Sequence, residues 1–156
     1  MIELDIPGRG NFKLEHLVLD VNGTLAKDGR LLDRIPKLLA NLRDRLTIHL
    51  LTADTYGRQE AIELLLGMKA TRLQPGGEAA QKGEYVRHLG AERVIAIGQG
   101  ANDAEMLKAA ALGIAVLGEE GLAVEALVNA KIIAANIYDA LALLEFPSRL
   151  VATLRR

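Results

Sequence analysis

Leu17-Val18-Leu19-Asp20-Val21-Asn22-Gly23-Thr24 is the stretch on which the reading of the fold turns. Three apolar residues run without interruption and a carboxylate follows. A short unbroken apolar run reads as a strand buried on both faces, the habit of central strands in a parallel sheet. The same pattern recurs along the chain. Thr47 to Leu51 forms a second such run, Val94 to Ile97 a third, Gly113 to Val116 a fourth and Lys131 to Ile133 a fifth, with Ala70 to Leu73 as a weaker additional strand.

Amphipathic helices are expected between these runs. Asp33 is placed to cap a helix that turns Ile35, Leu38, Leu39 and Leu42 inward, with Pro36 in its first turn. Thr55 to Leu66 presents Ala61, Leu64 and Leu65 as its apolar side; Gly76 to Leu89, Asn102 to Ala111 and Leu122 to Val128 complete the series. Strands alternating with helices of this size predict βαβ units and an α/β Rossmann-like fold of three layers around a mostly parallel sheet. No linker or repeat divides the chain, so residues 1–156 are expected to form a single domain. Leu25 to Leu32 carries Asp28-Gly29 between short extended pieces, the signature of a tight hairpin. Such a hairpin projects past the C-terminal end of the first strand as a flap. Its Leu31 and Leu32 need cover, from the core or from another subunit. Residues 1–14 alternate Ile2, Leu4 and Ile6 with polar residues and read as an edge strand or a hairpin. Residues 136–156 read as two helical pieces separated at Pro147.

Composition sets outer limits. The 156 residues are half apolar and a quarter charged, as in a folded water-soluble chain. A formal net charge of -1 and the lack of Trp argue against nucleic acid as a partner. The absence of Cys removes thiolate chemistry and disulfides. No stretch reaches about 18 consecutive apolar residues, and the first twenty residues are dotted with charges. A cytoplasmic protein with no membrane partner is the expectation.

In an open α/β sheet, sites form beyond the carboxyl ends of the strands. Register alone brings three sets of polar residues there: Asp20 after the first strand, Thr52 and Asp54 after the second, and Gln99 with Asn102 and Asp103 after the third.

In this order the motifs resemble the haloacid dehalogenase-like superfamily. Asp20-Val21-Asn22-Gly23-Thr24 is similar to its first motif, Thr52 to its second, Lys82 to its lysine motif, and Gly98-Gln99-Gly100-Ala101-Asn102-Asp103 to its acidic fourth. The last, with Met106-Leu107, looks most like the phosphorylation domain of P-type ATPases and their soluble relatives. The resemblance implies that Asp20 is a nucleophile forming an aspartyl phosphate on a phosphorylated small molecule, with Mg²⁺ as cofactor. Asp20, the backbone carbonyl of Asn22, Gln99 and Asp103 would hold the ion, Asp103 directly or through a water. Thr52 would donate its hydroxyl to the phosphoryl group, and Lys82 would hold the phosphate and balance Asp20. Asn22, Gly23, Thr24, Ala53 and Asn102 complete the substrate-binding set, with Gly23 and Thr24 placing amide donors. Asn102 could serve the phosphate, Asp20 or the loop, and Asn102 or Asp103 could equally cap a helix.

Three departures qualify these expectations. Phosphatases of the superfamily carry an acid–base Asp where Asn22 stands, and an amide does not exchange protons in this range. Gln99 replaces a common Mg²⁺-binding Asp and removes one negative charge. No insertion is large enough for a cap domain, so the site is open unless a second copy covers it. Two functions follow: a slow Mg²⁺-dependent phosphohydrolase or phosphotransferase, or a weak or inactive scaffold that binds a phosphorylated ligand or a protein. A response-regulator receiver, a third arrangement with an acceptor Asp, fails because its acidic pair precedes the acceptor strand.

Overall fold

The computed structural model describes residues 1–54 and 57–156. The chain opens with an antiparallel hairpin of β1 (Ile2–Ile6) and β2 (Gly10–Leu14). There follow β3 (His16–Asp20), a second hairpin of β4 (Ala26–Lys27) and β5 (Arg30–Leu31), α1 (Ile35–Leu42), β6 (Thr47–Thr52), α2 (Gln59–Leu66), β7 (Ala70–Arg72) and α3 (Glu78–His88). The last part contains β8 (Val94–Gly98), α4 (Ala104–Ala109), β9 (Leu112–Val116), α5 (Val124–Asn129), β10 (Ile132–Ala134), α6 (Ile137–Glu145) and α7 (Ser148–Leu154).

Six strands form one sheet in the order β10-β9-β8-β3-β6-β7, and every pairing in it is parallel. Strand β3 is internal because its apolar run can be buried on both faces. Leu17 and Leu19 face one core with Leu39 of α1, Leu141 of α6 and Leu150 of α7. Val18 faces the other, with Val86 of α3, Met106 and Leu107 of α4 and Ala126 of α5. Each such side chain contributes about 1.5–3 kcal/mol when fully buried. The result is the expected α/β/α sandwich, with β3 delivering Asp20 to the middle of the C-terminal sheet edge.

The Asp28-Gly29 turn forms as the dipeptide demands. Both residues have positive φ, 50° and 76°, the conformation of a primed hairpin turn, which glycine adopts without strain. Leu32 and Leu31 pack against the main core, so these two side chains do not call for a second subunit. The opening segment is a hairpin of its own, outside the six-stranded sheet. It buries Ile2, Leu4 and Ile6 and is tied to the C-terminal end by Arg9 Nε donating to the Leu154 carbonyl at 2.7 Å. Among the described residues no helix is long and apolar enough to cross a membrane.

Three local expectations are corrected. Asp33 does not cap α1; the N-cap is Arg34, at φ 68°, with no side-chain capping bond. Expected helical residue Thr55 lies outside the described residues, and α2 begins at Gln59. The inward face of α2 is Gln59, Ile62, Glu63 and Leu66, whereas Ala61, Leu64 and Leu65 are exposed, Leu64 at 84%. The cause is Glu63. Its carboxylate, 4% exposed, accepts the Ala70 amide at 2.8 Å and Arg72 Nη1 at 2.9 Å, with Lys69 Nζ at 3.4 Å. It thereby hangs edge strand β7 on the helix, and a polar residue takes an inward position that apolar periodicity assigns elsewhere.

The Ala70 amide, followed by Arg72, holds the Glu63 carboxyl down to about 2. A depressed carboxylate stabilises the fold above its unfolded pKa, and that stability is lost as pH falls toward the folded value. Glu63→Gln is therefore expected to lower the melting temperature by several degrees at neutral pH. The gap from the native protein should close as pH falls through the ordinary glutamate range toward about 2. Thermal melts across that range check it; a gap that persists undiminished at the acid end would show that packing, not charge, sets the effect.

Candidate active site

Asp20 ends β3 and is 5% exposed. Its Oδ1 accepts Lys82 Nζ at 2.6 Å, and its Oδ2 accepts the Thr24 hydroxyl at 3.1 Å. Lys82 comes from the middle of α3, is 1% exposed, and donates a second bond to Asp103 Oδ1 at 2.7 Å. Asp103 is completely buried. Its Oδ2 accepts the amides of Gln99 and Gly100, both at 2.9 Å, which folds the turn after β8 around the carboxylate. Three charged side chains from β3, α3 and the turn after β8 thus form one bonded chain.

Burial, and then the charge of Asp103, push the Asp20 carboxyl up to about 7, against the opposing pull of Lys82. Burial works against the Lys82 ammonium, but Asp20 and Asp103 outweigh it and hold its pKa raised. The cluster therefore keeps a positive charge between two acids that compete for it.

The loop after Asp20 is wound on the Val21 carbonyl, which accepts the amides of Thr24, Leu25 and Ala26. Gly23 has φ 82°, and a Cβ there would lie 2.1 Å from Gln99 Nε2 and 3.3 Å from Glu120 Oε2. The positive φ selects glycine here, beneath the ends of the Gln99 and Glu120 side chains. This corrects one expectation. The Gly23 amide donates to the Ala26 carbonyl at 2.8 Å and the Thr24 amide to Val21 at 3.2 Å, so both are used inside the loop. Thr24 serves the site through its hydroxyl instead.

Thr52, 1% exposed, ends β6 and accepts two bonds at Oγ1, from Asn22 Nδ2 at 3.3 Å and from the Asp54 amide at 2.9 Å. Neither uses its hydrogen, which stays available to donate. Two bonded sets thus meet at this sheet edge, Thr24–Asp20–Lys82–Asp103 and Asn22–Thr52, and Gln99 lies over Gly23. Ala53 and Asn102 are exposed beside them, and Asn102 makes no side-chain hydrogen bond among the described residues. Asp103 is placed differently from a simple metal anchor, since its oxygens face N–H donors of the protein. Glu119 and Glu120 carried no motif signal: they follow β9, and Glu119 forms an ion pair with Lys27 of the flap.

No group of three His, Cys, Asp or Glu among the described residues is arranged to hold a metal. A Mg²⁺ ion needs less, being bound by one or two carboxylates with water and phosphate oxygens. Asp20 Oδ2 meets only a neutral hydroxyl. The Asn22 carbonyl accepts no backbone bond among the described residues. With the Gln99 amide these are hard oxygen donors, and they fit such an ion.

The family model for haloacid dehalogenase-like hydrolases matches residues 78–135. An uncharacterised protein of Methanocaldococcus jannaschii is 40% identical over 92 residues, covering 56% of this chain and 99% of the relative. The structure of 3-deoxy-D-manno-octulosonate 8-phosphate phosphatase from Moraxella catarrhalis, in complex with magnesium ion, phosphate ion and KDO, superposes with a TM-score of 0.66. It is 17% identical, with 91% of this chain and 94% of that chain covered. A zinc-transporting PIB-type ATPase in its E2.Pi state gives a TM-score of 0.59 at 25% identity, over 78% of this chain and 20% of that one. Both matches show a shared fold, and the one to the ATPase spans a fifth of that chain. The chain matches the haloacid dehalogenase-like hydrolase superfamily, by sequence over residues 78–135 and by its fold.

Proposed function

We propose that the protein is a Mg²⁺-dependent phosphohydrolase or phosphotransferase that works through an aspartyl phosphate on Asp20. The observation that carries this reading is the chain Asp20–Lys82–Asp103, buried at the end of the central strand. A structural ion pair needs no third charge, and none of the three points at solvent. Aimed at a phosphoryl group, the same chain provides a nucleophilic oxygen and an ammonium to neutralise the incoming anion.

Asp20, the Asn22 carbonyl and Gln99 would hold the ion, with Asp103 supporting them through Lys82 and the Gln99–Gly100 turn. When bound, Mg²⁺ offsets the negative charge that otherwise repels a carboxylate from a phosphate. Thr52 donates its hydroxyl hydrogen to a phosphoryl oxygen. The amides of Asn22 and Ala53, which donate no hydrogen bond within the described residues, are the main-chain donors that replace those of Gly23 and Thr24. An Asp20 oxygen bonds to phosphorus while the bond to the ester oxygen breaks. The ester oxygen leaves with its electron pair and takes a proton from water. Water then attacks phosphorus and releases its proton to solvent; the aspartyl P–O bond breaks, and Asp20 returns as carboxylate with inorganic phosphate freed. A hydroxyl acceptor in place of water gives phosphotransfer. A second copy covering the open mouth belongs to the same proposal.

One observation favours the scaffold alternative. The Asn22 side chain, where the superfamily's acid–base Asp stands, is hydrogen-bonded to Thr52 and has no proton to give. Protonation of the leaving group and activation of water both lack a side chain, a contribution of typically about 10²–10⁴-fold. The enzyme is therefore slow, and its phosphorylated state persists.

Incubation with Mg²⁺ and acetyl phosphate should add the mass of one phosphoryl group to the intact protein, and none to Asp20→Asn. No adduct on either would make the scaffold the better reading. Asn22→Asp should raise turnover of an alkyl phosphate by about 10² or more, and that of an aryl phosphate by less, because only the poor leaving group needs the proton. Steady-state kinetics on both esters check the difference. Gln99→Asp should tighten Mg²⁺ binding, since charge count sets affinity at such sites. Titration calorimetry that shows no gain in a folded variant would mean that Gln99 does not face the ion.

A further inference from the structure

The flap and the start of α2 border a shallow, open cleft of about 520 Å³. Its charged walls are Lys27, Asp28, Arg30 and Asp33 from the flap side and Arg58 from across the gap. The two sides follow the two phosphate-site loops: the flap begins six residues after Asp20, and Arg58 stands six residues after Thr52. Lys27 and Leu32 also line a neighbouring cavity of about 380 Å³ that reaches Gly23 and Thr24 of the loop after Asp20, so the cleft borders that cavity.

The cations of this cleft are not equivalent. Lys27 is taken by Glu119. Arg34, just outside, lies over the ring of Tyr138. Arg30 and Arg58 have no ion pair or hydrogen-bond partner among the described residues, whereas Arg72, at the end of edge strand β7, is paired with Glu63. Two unpaired guanidiniums facing one gap are suited to a planar anion, which they can grip with parallel N–H donors. Asp28 and Asp33 on the same walls repel a second anion and accept from hydroxyls.

On the reading of Asp20 as the phosphoryl acceptor, we infer that Arg30 and Arg58 recognise a carboxylate on the leaving group. The substrate class is then a phosphomonoester of a small carboxylic acid, with hydroxyls as its remaining polar groups. This restores some of what the cap-less architecture lacks. With no domain to close over the substrate, orientation of the ester oxygen must come from charges on the rim, and a clamp at the far end of the leaving group provides it.

The test compares two aryl phosphates that differ in one group, a carboxylate against its carboxamide. Turnover is read on the native protein and on Arg30→Gln/Arg58→Gln; affinity is read by calorimetry on the Asp20→Asn forms of both, where transfer is blocked. The carboxylate ester should be preferred about tenfold in kcat/KM and in Kd, the scale of one charge-assisted hydrogen bond, and the preference should fall to about one without the two arginines. Both residues are exposed, so the double variant is expected to fold; Arg30→Lys/Arg58→Lys, which keeps the charge but not the fork, should retain only part of the preference. Turnover of both esters with no preference for the carboxylate overturns this inference and leaves the phosphatase reading intact. A carboxylate preference in Kd without turnover or phosphoenzyme supports the anion clamp and sinks the phosphatase reading instead.

Discussion

The ammonium of Lys82, buried between Asp20 and Asp103, is the interaction on which the rest of this molecule depends. An isolated charge taken out of water costs several kcal/mol even after relaxation, so it persists only where opposite charge and hydrogen bonds meet it. Here each partner is itself fixed, Asp20 by Thr24 and Asp103 by the amides of Gln99 and Gly100. Removal of one partner from such a buried set typically costs about 3–5 kcal/mol, because it strands a charge. The three groups belong to different elements, so satisfying them also fixes α3 and the turn after β8 against the end of β3. The packing of Val18, Val86 and Met106 in the core beneath supplies the rigid floor.

That arrangement handles charge well and protons poorly. Two neutral amides, Asn22 and Gln99, stand where the sequence resemblance implies acids. Asn22 is turned toward Thr52, and Gln99 lies across Gly23. Of the carboxylates, Asp20 and Asp103 are each bonded through one oxygen to Lys82. On the proposed reading, such a site would accept a phosphoryl group whose leaving oxygen is stable without a proton. It would have no side chain on the Asp20 loop to finish the reaction quickly. The same economy extends to the rim, where a two-stranded flap and one ion pair between Lys27 and Glu119 stand in place of a cap.

What the sequence determined by itself was whatever rests on neighbouring residues. Unbroken apolar runs name the buried strands, Asp28-Gly29 names a turn because both residues tolerate positive φ, and Pro147 divides α6 from α7. The strand ends also place Asp20, Thr52 and Asp103 on one edge, since a parallel sheet aligns its carboxyl ends. Only the tertiary structure decided the rest. A lone lysine in a polar helix looks solvated until α3 lies on β3 and Lys82 becomes one of the most buried residues of the chain. The inward face of α2 is chosen by Glu63, whose partners at Ala70 and Arg72 belong to an edge strand beyond the helix. The amides of Gly23 and Thr24 are lost to a loop that closes on Val21, and the cleft of Arg30 and Arg58 exists only once flap and α2 face each other. Periodicity and turn chemistry are local and can be read along a chain. Desolvation and charge pairing depend on which distant groups share the same small volume, and that is fixed only when the chain has folded.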